Sequence, residues 1–324
     1  MSRGPEPAHH VDGAAADESP PCPAHRCGFV TLFGRSNVGK STLLNRMVGR
    51  KVAIVTDVAQ TTRNRVQGIR SYPDAQVIFM DTPGIHRPRF AMNRRMVAAA
   101  LAGLEGMDIL LVIIDGPAGL GPGDRYVMDL AARRCEPVFL VINKIDRMSR
   151  PSLLPLIARV THDNEFAEVI PVSAQTGENI DRLEDRIRRI LPVRAPLFPR
   201  DELTDAPERF LVAELLREQV IIHTRDELPH STAVLVERFH ETAAGRVELD
   251  TLVLVEKESQ KAILIGRSGA MMKEIASAAR LQMQALLHVP VMLNVWVKVA
   301  PRWRMDRRVL DQLGVDEASG KSHM

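Results

Sequence analysis

The chain has 324 residues, of which 45% are hydrophobic and 26% charged, and its formal net charge is +3. At about 150 residues per domain this length predicts two globular domains, and so small a net charge does not by itself indicate a nucleic-acid-binding protein. The longest apolar run, residues 109–114, is too short to span a membrane, and with no signal-peptide core and only three cysteines we expect a cytoplasmic protein.

Residues 1–26 have almost no large apolar side chains, so this tail, like the last residues 315–324, is predicted to be disordered. From residue 27 to residue 191, β-rich runs alternate with helical patterns. Near-continuous apolar runs such as ILLVII and VFLVI indicate strands buried on both faces. The predicted fold class of this domain is α/β, with a doubly wound, mostly parallel sheet. Strands are expected at residues 28–33, 76–81, 109–115, 138–142 and 168–172, and helices at 41–48, 93–105, 123–133, 151–161 and 179–191.

A proline-rich stretch, residues 192–207, breaks every period and is predicted to be a linker. The second domain, residues 208–314, has a different order of elements, which indicates an α+β fold. Its last strand alternates, so one buried face is expected to hold Val291, Leu293, Val295, Val297 and Val299. Its elements are expected at residues 208–225, 231–240, 246–256, 270–288 and 290–299.

The segment between the first strand and the first helix fits the phosphate-loop pattern G-x-x-x-x-G-K-[ST], in the strand–loop–helix context that gives this motif its meaning. Its glycines allow backbone N–H groups to surround phosphate oxygens, and the helix N-terminus adds a positive dipole. Lys40 is expected to reach the β- and γ-phosphates, and the Ser41 hydroxyl to ligate Mg²⁺. The predicted phosphate-binding residues are Gly34, Arg35, Ser36, Asn37, Val38, Gly39, Lys40, Ser41 and Thr42.

A second candidate segment, here called switch II, consists of Asp81, Thr82, Pro83, Gly84 and Ile85. It follows a predicted strand at the carboxyl edge of the sheet, where ligands of open α/β sheets bind. Asp81 is expected to hold Mg²⁺ through a coordinated water, and the Gly84 N–H to meet the γ-phosphate. Alone, DTPG is also an ordinary turn; its place downstream of a phosphate loop favours the functional interpretation.

A polar loop between the first helix and the next predicted strand contains switch I, which consists of Gln60, Thr61, Thr62 and Arg63. The Thr62 hydroxyl would complete the coordination of Mg²⁺ when a γ-phosphate is present. GTPases order such loops with GTP and release them on hydrolysis. A polar loop without function is the alternative, and the position in the chain favours the switch.

The residues that follow the strand at 138–142 predict which base is bound. The Asp146 carboxylate can accept hydrogen bonds from guanine N1–H and its 2-amino group, which adenine does not offer, and an unpaired carboxylate there would be costly. Lys144 would lie along the base, and Asn143 would connect this loop with the phosphate loop. Ser173 and Ala174 would offer a backbone N–H to guanine O6. GTP is the predicted ligand, and ATP is the weaker alternative.

The motifs GRSNVGKS, QTTRNR, DTPGIH, NKID and SAQTG occur in the order and approximate spacing of the Era family of bacterial GTPases, which the chain resembles over residues 27–314. The resemblance implies a P-loop GTPase domain, a C-terminal KH domain of type II, GTP, GDP and Mg²⁺ as ligands, and a role in small ribosomal subunit assembly near the 3′ end of the small-subunit rRNA. Ser36 departs from the family, where proline is usual.

The resemblance also bears on how fast GTP would be hydrolysed. Ile85 stands where Ras-like enzymes place a glutamine that orients the attacking water, so slow intrinsic hydrolysis is expected. The resemblance suggests that a K⁺ ion, held partly by Asn37, supplies positive charge. Asn37 could instead only brace the loop.

In the second domain, Gly266, Arg267, Ser268 and Gly269 form the GxxG pattern with which KH domains clamp about four nucleotides by their backbone. A lone GxxG is a weak signal, but the order of the surrounding elements fits. Residues 257–308 contain ten Lys or Arg and only three Asp or Glu, and this excess of positive charge favours a partner that carries phosphate groups. Lys273 is also expected to contact that partner. A solvated basic face is the alternative. Nearby Trp296 is expected to pack against the last segment rather than to stack on a base.

Taken together, these motifs predict a monomeric GTP-hydrolysing switch that binds small-subunit rRNA, and not DNA. One alternative is a regulatory GTPase that acts mainly through a protein partner or through peripheral association with the cytoplasmic face of a membrane. Another is an RNA-binding module with a vestigial nucleotide site, against which the intact Lys40, Ser41, Asp81 and Asp146 argue.

Overall fold

The computed structural model describes residues 25–58, 61–84, 101, 104–162 and 164–314. The described residues leave out several predicted features. These are most of the N-terminal tail, the C-terminal tail, most of the helix predicted at 93–105, and the candidates Gln60 and Ile85. The first strand begins at Arg26, so the predicted N-terminal tail is one residue too long. Among the described helices, none is long and apolar enough to cross a membrane.

The first domain is built on a six-stranded sheet. Its strands are β1 (Arg26–Gly34), β2 (Val66–Ser71), β3 (Ala75–Asp81), β4 (Ile109–Asp115), β5 (Val138–Asn143) and β6 (Glu168–Pro171). They lie in the order β2-β3-β1-β4-β5-β6, and every pair is parallel except β2 with β3. The mostly parallel sheet predicted from the sequence is confirmed.

Strand β4 shows why the apolar runs form central strands. All six residues from Ile109 to Ile114 are at most 1% exposed. Alternate side chains enter the apolar clusters on opposite faces of the sheet, Leu111 on one face and Val112 on the other. Each buried side chain of this size contributes about 1.5–3 kcal/mol to the stability of the fold. Because its side chains enter both clusters, this strand connects the two apolar layers.

Four described helices cover the two faces of this sheet: α1 (Lys40–Val48), α2 (Pro122–Ala131), α3 (Arg150–Thr161) and α4 (Ile180–Ile190). Helices α1 and α4 pack into one apolar cluster, and α2 and α3 into the other. Helix α2 begins with Pro122. Proline suits this position because the N–H of a first helical residue has no acceptor within the helix. The predicted positions of these four helices agree with the structure to within two residues at each end.

Strand β2 is absent from the predicted elements. Its sequence, VQGIRS, has too few apolar residues to give a clear pattern. Gly68 lies in its middle because a Cβ there would come within 2.6 Å of Val48 and 2.7 Å of Leu44 side-chain atoms. The strand therefore depends on its contact with α1, which a reading of local pattern does not detect.

The linker predicted at residues 192–207 lies along the first domain. The Ile69 N–H donates to Leu203 O at 2.8 Å, and Thr204 Oγ1 donates to Gln67 O at 2.6 Å. The buried side chain of Gln76 accepts hydrogen bonds from two linker N–H groups, at 2.8 Å and 3.0 Å. These contacts hold the connection against strands β2 and β3.

The second domain has a three-stranded sheet in the order β7-β8-β9, with β7 antiparallel and β9 parallel to β8. Helices α5 and α8 pack on one face of it, and the predicted alternation of the last strand is confirmed. The short helix α6 was not predicted, whereas α9 lies where a helical segment was expected at the C-terminal end of this domain. The elements are α5 (Glu208–His223), α6 (Leu228–Ser231), β7 (Ala233–Glu241), β8 (Val247–Val255), α7 (Glu258–Ile265), α8 (Ala270–Leu287), β9 (Val291–Val299) and α9 (Arg307–Gln312). The domain limits stay predictions.

Candidate nucleotide site and RNA-binding loop

The parallel strands bring the sequence motifs to one edge of the sheet. Gly34, Asp81, Asp115 and Asn143 are the last residues of β1, β3, β4 and β5, which are neighbours in the sheet. Because parallel strands end on the same side, segments that are more than 100 residues apart in the chain lie next to one another there.

The phosphate loop has the backbone that a phosphate cradle requires. Gly39 has a φ of +95°, and a Cβ on it would lie 2.3 Å from Asn143 Nδ2, so only glycine fits. Lys40 Nζ donates to the carbonyl oxygens of Gly34 and Arg35, at 3.2 Å and 2.8 Å. Burial lowers the pKa of Lys40 to about 8. This buried cation faces a cavity of about 60 Å³ that Ser36, Thr42 and Gly84 also line.

Three oxygen-bearing side chains meet next to this cavity. Ser41 Oγ donates to Asp81 Oδ2 at 2.6 Å and lies 3.0 Å from Thr62 Oγ1, which is itself 3.5 Å from Asp81 Oδ2. Burial raises the pKa of Asp81, against the opposing effects of Lys40 and of these two hydroxyls. Asp81 Oδ1 is buried and has no hydrogen-bond partner among the described residues. A hard cation such as Mg²⁺ prefers oxygen ligands of this kind, so these residues fit it.

Switch II lies directly on the phosphate loop. A Cβ on Gly84 would come within 2.8 Å of the Ser36 backbone nitrogen, so this close approach also requires glycine. Thr82 is fully buried and donates to Leu32 O at 2.7 Å, which fixes the start of the segment, and Pro83 is buried as well. Ile85 lies outside the described residues.

Asn143 connects the base-binding loops with the phosphate loop. Its Nδ2 donates to Val38 O at 2.8 Å, and its Oδ1 accepts from the Ala174 N–H at 3.0 Å. The Ala174 N–H predicted to meet guanine O6 is therefore engaged by Asn143 in this structure. The Ser173 N–H donates to Glu178 O.

Ser173 contributes through its hydroxyl, which donates to Asp146 Oδ1 at 2.5 Å. This bond orients an exposed carboxylate at the rim of a cleft of about 490 Å³. The cleft lies beside the phosphate loop and is shared by Asp146, Lys144 and Thr42. Its volume is within the range that small-molecule ligands occupy.

Lys144 is held by a residue that the sequence reasoning missed. Its Nζ donates to Asp115 Oδ2 and to Asn37 O, both at 2.6 Å. The position of Asp115 at the carboxyl end of β4 was the available signal. Asn37 Nδ2 donates to Asp57 O at 2.9 Å, so this side chain does brace the phosphate loop against the loop that precedes switch I. Arg35 is similarly tied to the buried Asp124 at the start of α2, at 2.6 Å.

A second set of missed residues lies on α5, which borders the loop containing switch I. Glu218 is buried, accepts from the Val55 N–H at 2.9 Å, and pairs with Lys51. Arg217 Nη2 donates to Thr61 O at 2.6 Å. Arg63, the last residue of switch I, is also buried against the second domain. Switch I therefore lies between the two domains.

The GxxG loop joins α7 to α8 and presents its two central residues to solvent. Gly266 has a φ of +70°, and a Cβ on it would lie 2.7 Å from Met271 Cβ, so this turn requires glycine. Arg267, Ser268 and Lys273 are exposed. Gly269, at a φ of +80°, precedes α8 directly.

The two tryptophans have different surroundings. Trp303 is buried and donates from Nε1 to Ser231 O at 2.9 Å. Trp296 is 50% exposed on the outer face of β9. Trp303 is the tryptophan that joins the apolar cluster with Leu310 of the last segment, and the packing expected of Trp296 stays a prediction.

Comparison with known proteins identifies both domains. Residues 29–144 match a family described as a 50S ribosome-binding GTPase, and residues 227–304 match the KH domain. The chain is 45% identical over 290 residues to the GTPase Era of Lacticaseibacillus paracasei, and this match covers 90% of the chain and 97% of its relative. The chain belongs to the Era family of GTPases. The GTPase Era of Geobacter metallireducens is also 45% identical, with 89% of the chain and 97% of that protein covered.

Two solved Era structures share this architecture. Era in complex with MgGDPNP and nucleotides 1506–1542 of 16S ribosomal RNA has a TM-score of 0.87 and 39% identity, and 90% of this chain and 99% of that chain are covered. A variant of Aquifex aeolicus Era bound to GDP and AlF4⁻ has a TM-score of 0.86 and 38% identity, with the same coverage. The predicted fold class, a P-loop GTPase sheet joined to a KH domain, is confirmed.

Proposed function

We propose that this chain is a molecular switch that binds GTP with Mg²⁺, hydrolyses it to GDP and phosphate, and binds small-subunit rRNA near its 3′ end through the KH domain. The observation that carries the proposal is the convergence of Ser41, Thr62 and the partnerless Asp81 oxygen beside the phosphate loop. The proximity of the Thr62 hydroxyl to Ser41 and Asp81 supports its proposed role as a ligand of a metal ion that also meets the γ-phosphate.

In the proposed reaction the protein acts mainly by positioning and by charge. Backbone N–H groups of the phosphate loop and Lys40 hold the β- and γ-phosphates, and the Gly84 N–H meets the γ-phosphate. Ser41 and Thr62 ligate Mg²⁺, and Asp81 holds it through a coordinated water. The bound ion neutralises charge that develops on the transferred phosphoryl group. With Ile85 as the residue after DTPG, no side chain there orients the attacking water, so hydrolysis without a partner is slow.

Guanine selection rests on Asp146, which Ser173 Oγ orients at 2.5 Å. Its carboxylate would accept from guanine N1–H and from the 2-amino group, and Lys144 would lie along the base. Asn143 contributes indirectly, because it joins the base loops to the phosphate loop. A K⁺ ion held partly by Asn37 belongs to the same proposal, and replacing K⁺ by Na⁺ is expected to slow hydrolysis.

The RNA part of the proposal rests on the exposed GxxG loop with Arg267 and Lys273, and on the relative that was crystallised with 16S rRNA. Binding at that site would give the chain a role in small-subunit assembly, which takes place in the cytoplasm. We propose that it acts there as a monomer. A main role at a membrane or through a protein partner stays an alternative, to be separated by experiment.

Crosslinking of the purified full chain to total cellular RNA, followed by sequencing, tests this function. It is run with a non-hydrolysable GTP analogue, with GDP, and with Arg267 and Lys273 both changed to alanine. A peak at the 3′ end of small-subunit rRNA that the double variant loses is expected. Scattered crosslinks that ignore the GxxG loop would refute the RNA assignment and favour a protein or membrane partner. Failure to bind GTP would indicate a vestigial nucleotide site.

A further inference from the structure

Within and just after switch I, Thr62 contacts the candidate nucleotide site, whereas the residues on both sides of it contact the second domain. The Thr61 carbonyl accepts from Arg217 of α5 at 2.6 Å, whereas the Thr62 hydroxyl points back to Ser41 and Asp81. The Arg63 side chain then enters the KH domain. The following residue, Asn64, donates from Nδ2 to Leu313 O at 2.8 Å. Because Thr62 is flanked on both sides by such anchors, it cannot move without disturbing them.

Arg63 makes the deepest of these contacts. It is 8% exposed, and its guanidinium donates to Thr232 O at 2.8 Å and, more weakly, to Pro229 O at 3.4 Å. Its central carbon lies 5.7 Å from the centre of the Trp303 ring, within the range of a cation–π interaction. The carbonyl oxygens belong to the short α6 turn and the residue that follows it. Arg63 thus fixes this turn relative to the nucleotide site.

The α6 turn is itself bonded to the helix that leads to the GxxG loop. Ser231 Oγ accepts from Gln260 Nε2 at 3.0 Å. Gln260 Oε1 in turn accepts from the Glu256 and Lys257 N–H groups, at 2.9 Å and 3.1 Å, and so fixes the start of α7. Helix α7 ends at Ile265, next to Gly266. Buried and half-buried hydrogen bonds, joined by the backbone of the α6 turn and of α7, therefore connect switch I with the GxxG loop.

We infer that Arg63 is a positioning residue that couples the metal ligand Thr62 to the GxxG loop, through the α6 turn and Gln260. This inference rests on the proposed function, and it names the route by which nucleotide and RNA influence each other. Since coupling is reciprocal, RNA that fixes α7 would hold Thr62 in place, and a GTP analogue that holds Thr62 would favour RNA binding by the same factor.

The electrostatic surroundings of Arg63 suit a contact that forms in one state and is released in another. Among the described residues, no carboxylate pairs with Arg63. Glu214, whose negative charge acts on Arg63, is already bonded to Arg217 at 2.6 Å. Burial and, after it, the charge of Arg217 lower the pKa of Arg63 to about 9, so it stays a cation at pH 7. A buried cation held by carbonyl oxygens and a ring is a costly arrangement, so its stability depends on all of these contacts being in place.

The test measures RNA affinity of the full chain with GDP and with a non-hydrolysable GTP analogue. The RNA probe has the 16S sequence crystallised with the relative, nucleotides 1506–1542. In the unmodified chain the ratio of the two affinities is expected to be at least about fivefold. Arg63→Gln is expected to reduce this ratio to less than about twofold. Arg63→Lys, which keeps the charge, is expected to restore part of it.

Two further variants separate coupling from general damage. Arg125→Gln, on an exposed position of α2, is the matched control and is expected to keep the full ratio. Ser231→Ala removes the acceptor for Gln260 and breaks the same route inside the KH domain, so it is expected to lower the ratio as Arg63→Gln does. It also serves as the deciding variant if Arg63→Gln fails to fold. A merely structural defect would weaken RNA binding equally with both nucleotides and leave the ratio unchanged.

The outcomes distinguish this inference from the proposed function. If the unmodified chain shows the ratio and both Arg63→Gln and Ser231→Ala keep it, the route through Arg63 is wrong and the proposed function stands. A ratio of one in the unmodified chain likewise overturns the coupling, although RNA binding itself would remain. If the RNA is not bound with either nucleotide, the proposed RNA function fails first.

Discussion

Removal of the Asn143 side chain is expected to weaken the first domain and nucleotide binding together. Asn143 is 1% exposed and joins two backbone groups, Val38 O and the Ala174 N–H, at 2.8 Å and 3.0 Å. Val38 and Ala174 are themselves at most 2% exposed, so water does not replace the lost partner. Asn143→Ala leaves one acceptor and one donor unpaired in the interior.

The magnitude follows from the two groups. Each buried group left unpaired costs about 1–3 kcal/mol, so the variant is expected to lose about 3 kcal/mol. For a domain of this size 1 kcal/mol lowers Tm by about 2–4 °C, which gives a fall of roughly 6–12 °C. Affinity for GDP is expected to fall as well, because the base loops and the phosphate loop are no longer held together.

The assay is differential scanning calorimetry with and without GDP, combined with titration of a fluorescent GDP analogue. Asn164→Ala is the control, since the half-buried Asn164 makes one long hydrogen bond, 3.2 Å to Val160 O. It is expected to cost less than about 1 kcal/mol. If Asn143→Ala changes Tm by less than 2 °C, on the order of the control, and leaves the Kd for GDP unchanged, the reasoning about the connected loops is wrong.

Four other predictions concern ligand binding. Asp146→Asn is expected to lower GDP affinity at least about 100-fold and to favour xanthosine diphosphate, measured by competition; unchanged preference for GDP would contradict the base assignment. Gly39→Ala is expected to abolish GDP binding, whereas Gly119→Ala, also at positive φ but with nothing within 4 Å of the added Cβ, should leave it intact. The free protein releases the Lys40 proton above its pKa of about 8, whereas bound phosphates retain it. GDP affinity should therefore fall as pH rises from 7 to 9, and a flat titration would refute this. RNA affinity should fall with salt at a logarithmic slope of about −3, and Arg267→Ala should reduce that slope by about 0.7.

The sequence predicted well those parts of the fold whose pattern is local. Strand β4 is recognisable because six consecutive apolar residues, Ile109 to Ile114, are buried on both faces. The phosphate loop is recognisable because glycine and lysine at fixed spacing follow such a strand. Strand β2 escaped prediction because it has few apolar residues and a central Gly68, and it forms through pairing with β3 and close packing on Leu44 and Val48. A local reading has no access to that contact.

The sequence predicted that residues of the candidate nucleotide site would meet at one edge of the sheet, and it predicted their hydrogen bonds less well. Ser173 was selected for its backbone N–H, yet its hydroxyl is the group that meets Asp146. Asp115 was not selected, although it binds Lys144 at 2.6 Å. Sequence position shows that these residues reach one edge of the sheet. Which atoms then pair depends on side-chain directions that are settled only when the loops are assembled.

The contact between switch I and the KH domain could not be predicted from the sequence, for a more general reason. Arg217 and Glu218 are polar residues on a helix, and the ordinary expectation for them is exposure. Both are at most 2% exposed, because each meets a group of the other domain: Arg217 the Thr61 carbonyl, and Glu218 the Val55 N–H and Lys51. Buried polar groups are tolerated only while such partners remain in place. An interface specified in this way is sensitive to the position of the loop it holds. On the inferred coupling, a movement of switch I that withdraws one of these partners would leave the others costly to keep buried, and would change how the KH domain is held.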